Sequence, residues 1–466
     1  MEEKKLTRRD FLRMSTLATM GIATMGGVVA CAPATMPQAN QTQAAPQADS
    51  SAPSSDKIQI EWWPGWPGPY MVDIGNLFMD RNPNVELNVV SVYPEMQQVL
   101  TSIAGGTPPD IIADVPYMEL ISRGVCQPLD DFIEASDEVS IDDGDIRQDH
   151  WEVFSWEGSH YGVPAVDTAG RGGMSFNLNL IEEAGLDPEN LPQTWEEVFA
   201  WHQQITTYDD AGNIAILGMN PIAERAGAAT DGDPWLWPEM WGFHYISETL
   251  EYQVDRPETV EFFQVILNFF DEVGVEKMEG LSAAMEGISR GAFGVGKQAM
   301  QITYPSGPAG VFRSNPDHTY KFTWVPVPES RRGTKVQTLS GHASILMSGK
   351  PNPETAFDLA VFLTQAEACD ILFKEVGWLG PRKSWQETVD LSEYPPEVQE
   401  NIQFFTRSLD EADELWFEKD PIEGISATQW VTAREDVIYH KLTPDEAAQR
   451  MQETLTKELA DALESR

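Results

Sequence analysis

Apolar and polar positions alternate from Lys57 to Glu61, which predicts a short strand running into Trp62 and Trp63. The β-branched run from Val85 to Val92 predicts a second strand. Between them, Met71 to Phe78 carries helical apolar spacing and Asn82-Pro83 stops it, giving the strand-helix-strand length that parallel pairing needs. Met96 to Ile103 predicts another helix, closed by Gly105 and Gly106, and Pro109 to Asp114 restarts a strand after a proline-fixed turn. The pattern is α/β. Sheets of this kind place ligands in crevices beyond the carboxyl ends of their strands, here Trp62 to Trp66, Tyr93 and Asp114.

A second region begins near Val166, where Gly170-Arg171-Gly172-Gly173 leads into a strand from Met174 to Asn177. Thr194 is placed as the N-cap of a helix, with Glu197 completing a capping box and Trp195 as core. Further helices are expected at Glu258 to Val273, with Phe262, Phe263, Ile266 and Phe270 on one face, and at Pro353 to Thr364.

Composition narrows the function. A chain of 466 residues with 41% hydrophobic and 10% aromatic residues can form two or three domains with sizeable cores. Its 74 acidic against 31 basic residues give a formal charge of -43, which repels nucleic acid and anionic lipid. The cysteines Cys31, Cys126 and Cys369 are too few for a disulfide scaffold and lack zinc-site spacing. A Cys126 to Cys369 bridge is not expected, because independent helices rarely bring two Cα atoms to bonding separation.

The N-terminus gives the compartment. Thr7-Arg8-Arg9-Asp10-Phe11-Leu12-Arg13 matches a twin-arginine export signal, and the apolar stretch from Met14 to Ala30 is short for a membrane span. Val28-Val29-Ala30-Cys31 resembles a lipoprotein box, so residues 1 to 30 are expected to be removed and Cys31 to carry the lipid. Residues 31 to 56, rich in Ala, Pro, Gln and Ser, cannot bury enough surface to fold and read as a tether.

The stretch Ile60 to Tyr70, IEWWPGWPGPY, sets three tryptophans around Pro64 and Gly65. Either they finish a buried strand or they present flat apolar faces to a ligand. Enzymatic motifs are sparse. Gly291 to Lys297 has phosphate-loop spacing but continues with Gln298 in place of the metal-holding Ser or Thr, and nucleotide is scarce outside the cell. Asp142, Asp143 and Asp145 lack the alternation of a calcium loop, no metal or cofactor is expected, and the seven histidines are scattered. Two carboxylates would suffice for a glycoside hydrolase, which stays as the alternative.

Colinear segments carry a family resemblance. They are Phe78-Met79-Asp80-Arg81-Asn82-Pro83-Asn84-Val85, Gly105-Gly106-Thr107-Pro108-Pro109-Asp110, Pro128-Leu129-Asp130-Asp131 and Tyr161-Gly162-Val163-Pro164. Thr194-Trp195-Glu196-Glu197, Gly296-Lys297-Gln298-Ala299-Met300 and Gly377-Trp378-Leu379-Gly380-Pro381 follow in order. From about Ile58 to its C-terminus the chain resembles the family 1 extracellular solute-binding proteins of ABC importers, the group that includes maltose-binding protein.

That resemblance implies a two-lobed periplasmic-binding-protein fold with a ligand cleft between the lobes and no catalysis. Lobe one is placed at 57–165 plus 343–385, and lobe two at 166–342 plus 386–466. It implies an exported monomer, periplasmic or lipid-anchored on the outer face of the cytoplasmic membrane, whose partners are a small sugar and ABC permease subunits. Trp62 is expected inside lobe one, with Trp63 and Trp66 opening onto the cleft beside Tyr93 and Asp114. From lobe two, Arg171, Trp235, Trp237 and Tyr304 are ligand candidates or padding of its core, and His342 and Trp378 lie near the crossings. Flat indoles suit the C–H faces of sugar rings, so a neutral oligosaccharide is the expected ligand.

The export reading predicts that Arg8→Lys with Arg9→Lys leaves precursor in the cytoplasm, because the receptor reads the paired guanidinium groups. Cys31→Ser should cross the membrane and appear in the soluble extracytoplasmic fraction. Fractionation and immunoblotting check both, and a Cys31→Ser protein still held on the membrane would disprove the lipid anchor.

Overall fold

The computed structural model describes residues 57–222, 236–288, 290–339 and 341–464. The expected signal, Cys31, the expected tether and Trp235 lie outside them. The strand Ile58–Trp63 pairs in parallel with Val85–Val89 on one side, Ile58 opposite Val85, and with Ile111–Ile112 on the other, Trp62 opposite Ile111. The segment Ala343–Leu346 returns from far along the chain to add antiparallel beside Ile111–Ile112, and Gly162–Pro164 closes this five-stranded sheet. A second five-stranded sheet runs in the order Tyr320–Thr323, Gly173–Asn177, Gln298–Thr303, Ile214–Met219, Thr207–Tyr208.

Local sequence explains these elements. Pro69 opens the helix Pro69–Arg81, whose buried positions Tyr70, Met71, Ile74 and Phe78 recur on one face. Thr194 caps the helix Trp195–Ile205 by accepting from the Glu197 N–H. The answering carboxylate of Glu197 takes the N–H of Gln193, one residue before the cap. The segment read as a false phosphate loop folds as a short helix, Gly291–Gly294, ahead of the strand Gln298–Thr303. A phosphate loop needs the opposite order, strand then helix.

Successive side chains of a strand point to opposite faces, and helices cover both faces of the first sheet. Trp62 therefore packs with Ile74, Phe78 and Leu346. Trp63 packs on the other side with Val99, Ile112 and Cys126, its indole N–H donating to Glu61 at 2.8 Å. This corrects the expectation that Trp63 opens onto the cleft. Trp237 is likewise core: it stacks on Trp195 with ring centroids 5.0 Å apart, beside Phe262. Cys126 and Cys369 are free and buried in separate clusters, and burial pushes both thiols up to about 12.

The chain passes from the first sheet to the second through residues 165–172 and re-enters the first sheet through Gly341 and His342. These two crossings are bonded to each other. Ala165 N–H donates to His342 O at 2.8 Å, and His342 N–H donates to Val166 O at 3.1 Å. Beside them Val336–Thr338 pairs in parallel with Glu414–Trp416. Gly341 permits the close passage: at φ 138° a Cβ would lie 2.8 Å from the Asp167 carbonyl oxygen.

Two predictions follow from the packing. Trp62→Ala and Trp63→Ala should each lower unfolding stability by about 3 to 5 kcal/mol through the cavity left behind, read by urea melts. Burial also holds the imidazoles of His150 and His202 down to about 4. Because the unfolded chain protonates them near pH ~6.5, their contribution to stability is complete above that pH and is lost as pH falls toward 4. Histidine NMR titration should show two imidazoles still neutral at about pH 5, and two ordinary titrations near 6.5 would contradict this assignment.

Candidate functional site

The cleft is assembled by close backbone approach. After Trp63 the chain turns at Gly65, φ 79°, where a Cβ would sit 2.3 Å from Asp114 Cβ and 2.5 Å from Ala113 O. Only glycine lets the tryptophan loop lie against the end of Ile111–Ile112, and that contact sets Trp66 beside Asp114. Asp114 adopts φ 53° and donates its N–H to the Tyr117 hydroxyl at 2.8 Å. The same hydroxyl accepts the N–H of Ala343 at 3.1 Å, tying two strand ends to one phenol. Burial, with the nearby Asp114 charge, holds that phenol well above the ordinary tyrosine range, so it remains protonated.

A cavity of about 550 Å³ opens between these strand ends and the second sheet, within the size range of small-molecule sites. One wall is aromatic. The half-buried Trp66 meets Trp378 edge-on at 4.8 Å and Tyr93 at 5.0 Å, and Trp378 lies 4.6 Å from the His342 ring. His342 Nδ1 is 3.8 Å from Asp114.

The facing wall is polar. Arg171 donates to Asp167 Oδ2 at 2.7 Å and lies 5.0 Å over the Tyr304 ring. Asp167, at φ 60°, is buried, and its Oδ1 has no hydrogen-bond partner among the described residues. A buried, unfilled carboxylate acceptor is costly and is satisfied by a donor such as a ligand hydroxyl. Arg290, Ser306 and Gly310 continue this wall, and Arg313 reaches across to the carbonyls of Lys374 and Glu375 at 2.8 and 2.9 Å.

Of the ten candidate residues, the cavity brings together Trp66, Asp114, Arg171, Tyr304, His342 and Trp378. Tyr93 is half exposed beside it, in contact with Trp66. Trp63 and Trp237 lie in cores. Sequence reasoning missed Asp167, Arg290, Ser306, Arg313 and Glu375. The usable signals were Asp167 next to the crossing glycines and Ser306-Gly307-Pro308 as a helix start.

A family model described as bacterial extracellular solute-binding protein matches residues 64–368, more than half of the chain. No curated protein sequence matches. Among solved structures, the protein CpMnBP1 with mannotriose bound superposes with a TM-score of 0.74 at 19% identity, over 86% of this chain and 100% of that one. An ABC substrate-binding protein from Listeria monocytogenes in complex with cycloalternan gives 0.68 at 20% identity, over 87% and 100%. The maltose/maltodextrin-binding domain from Bdellovibrio bacteriovorus bound to maltotriose gives 0.65 at 16% identity, over 86% and 100%. These identities speak for a shared two-lobed fold. With crossing segments, cleft and family match in agreement, the chain belongs to the bacterial extracellular solute-binding proteins.

Proposed function

We propose that this protein captures an oligosaccharide outside the cytoplasmic membrane and hands it, chemically unchanged, to the permease subunits of an ABC importer. The observation that carries this reading is the cavity wall pairing: Trp66 and Trp378 on one side, the Asp167–Arg171 pair and Tyr304 on the other. A sugar ring has apolar C–H faces and a polar equator of hydroxyls. Indoles take the faces, while carboxylates and guanidinium groups take the equator. The mannotriose, cycloalternan and maltotriose held by proteins of similar fold support a sugar as the ligand class.

The lobes in this reading are 57–165 with 343–385 and 166–342 with 386–466. Strand membership supports the division, since every strand of the first sheet falls in the former and every strand of the second in the latter. The paired crossings at 165–166 and 342 are the hinge about which the lobes close on ligand. Export by the twin-arginine route, a lipid on Cys31 and the tether complete the proposal, with a monomer working at the membrane face. Among the described residues no helix is long and apolar enough to cross a membrane.

Titration calorimetry against a glycan panel, with product analysis of the same mixtures, tests this reading. Binding at one site without product supports it, and turnover of a glycan would establish the hydrolase alternative instead. Trp66→Ala should weaken the cognate sugar by about 1.5 to 3 kcal/mol, roughly one to two decades, with little loss of stability. Normal binding joined to a much lower melt would make Trp66 a packing residue.

A further inference from the structure

Arg290 stands apart from the other charged groups of the cavity. Its own φ is 62°, a left-handed bend that points the chain back before Gly291–Gly294. Its Nη2 donates to the carbonyl and hydroxyl oxygens of Ser306, at 2.8 and 3.0 Å. Ser306 is the N-cap of the helix Gly307–Ser314 and makes no side-chain cap bond of its own. The guanidinium therefore sits at a helix start, where the first N–H groups already carry partial positive charge. Among the described residues no carboxylate forms an ion pair with it.

Among the described residues, Asp167 and Arg313 act on Arg290 through their charge without a hydrogen bond to it. Asp167 attracts Arg290, but its Oδ2 is committed to Arg171. Arg313 repels it, and its own donors go to the carbonyls of Ala309, Lys374 and Glu375. Glu375 is exposed at the rim, and Asp114 lies on the other wall beside His342. Burial, with Arg313 adding, pulls the Arg290 guanidinium down to about 10 although Asp167 works against the shift. The chain also keeps room for it. A Cβ at position 310 would fall 2.5 Å from Arg290 Nε, so the guanidinium lies against bare helix backbone at Gly310.

From this geometry we infer that the Arg290 end of the cavity receives a carboxylate carried by the sugar, making the ligand a uronic-acid-containing oligosaccharide. The inference rests on the oligosaccharide reading above and adds the charge of one substituent. A guanidinium presents two parallel N–H groups to a carboxylate, and here the negative partner it lacks would come with the ligand. A single charge fits better than a dianionic phosphate, because Asp114, Asp167 and Glu375 share the same cavity. Neutral rings would still lie against Trp66 and Trp378.

The test uses neutral-sugar trisaccharides that carry a single terminal galacturonic, glucuronic or mannuronic acid residue, each paired with its carboxyl-reduced neutral form, in titration calorimetry with the full mature protein. At least one acid trimer should bind about tenfold or more tightly than its reduced form, with an affinity that falls as salt rises. Arg290→Gln should weaken the acid trimer at least about tenfold more than its reduced form, and Arg290→Lys should restore part of the difference. The salt dependence of the wild-type protein gives the same answer if a variant folds poorly. Equal or tighter binding of the reduced trimers, or equal weakening of both forms by Arg290→Gln, overturns the inference. If only neutral sugars from a wider panel bind, the carboxylate site fails and the oligosaccharide reading stands. If no saccharide binds, both fall.

Discussion

The pairing of two backbone crossings, Ala165 to His342 and His342 to Val166, is the constraint on which the rest depends. Backbone groups leaving one sheet for another lose their ladder partners, and an unpaired buried N–H or C=O is costly. Here each crossing satisfies the other. The result is a narrow link whose residues open directly onto the cleft: Asp167 and Arg171 follow one crossing, and His342 ends the other. Gly341 makes the pairing sterically possible, since any side chain there would strike Asp167 and Thr168. In the proposed reading, hinge and binding surface are built from the same few residues, so bending the link would move cavity groups on both walls together.

The walls show a division of labour that follows from secondary structure. The first sheet ends in loops that carry aromatic rings, and Gly65 folds one of them over the end of Ile111–Ile112. The second sheet offers charges held by ion pairing and by helix termini: Arg171 on Asp167, Arg313 on the carbonyls that end the helix Ala366–Val376. An apolar wall supplies area and a charged wall supplies orientation. Fixed in advance by these contacts, the polar groups lose little freedom when a ligand arrives.

Much of the fold was legible in the sequence because its signals are local. Thr194 with Glu197 at a helix start and Asn82-Pro83 at a helix end act within one turn, and each stands where the pattern placed it. The site was partly legible. Trp66 and Asp114 follow strand ends, and parallel sheets place ligands there. Trp63 was misread because alternation separates buried from exposed only when one face is open, and helices cover both faces of this sheet. Trp237, left open between ligand candidate and core, falls in the core: with Trp241 it forms an i, i+4 pair whose face is turned to Trp195, a partner some forty residues away. Arg290 carried no signal at all. A left-handed residue ahead of a one-turn helix, facing Ser306 across the cavity wall, is a product of tertiary packing.

The central claim is that one ligand is gripped between the aromatic and the charged wall at the paired crossings. A crystal structure of the mature protein with its tightest-binding oligosaccharide tests this most directly. The account predicts a sugar ring against Trp66 and Trp378, with a hydroxyl hydrogen-bonded to Asp167 and the Arg171–Tyr304 wall closed over it. A sugar bound on the outer surface, or lying in the cavity with Asp167 and Trp66 untouched, would contradict it.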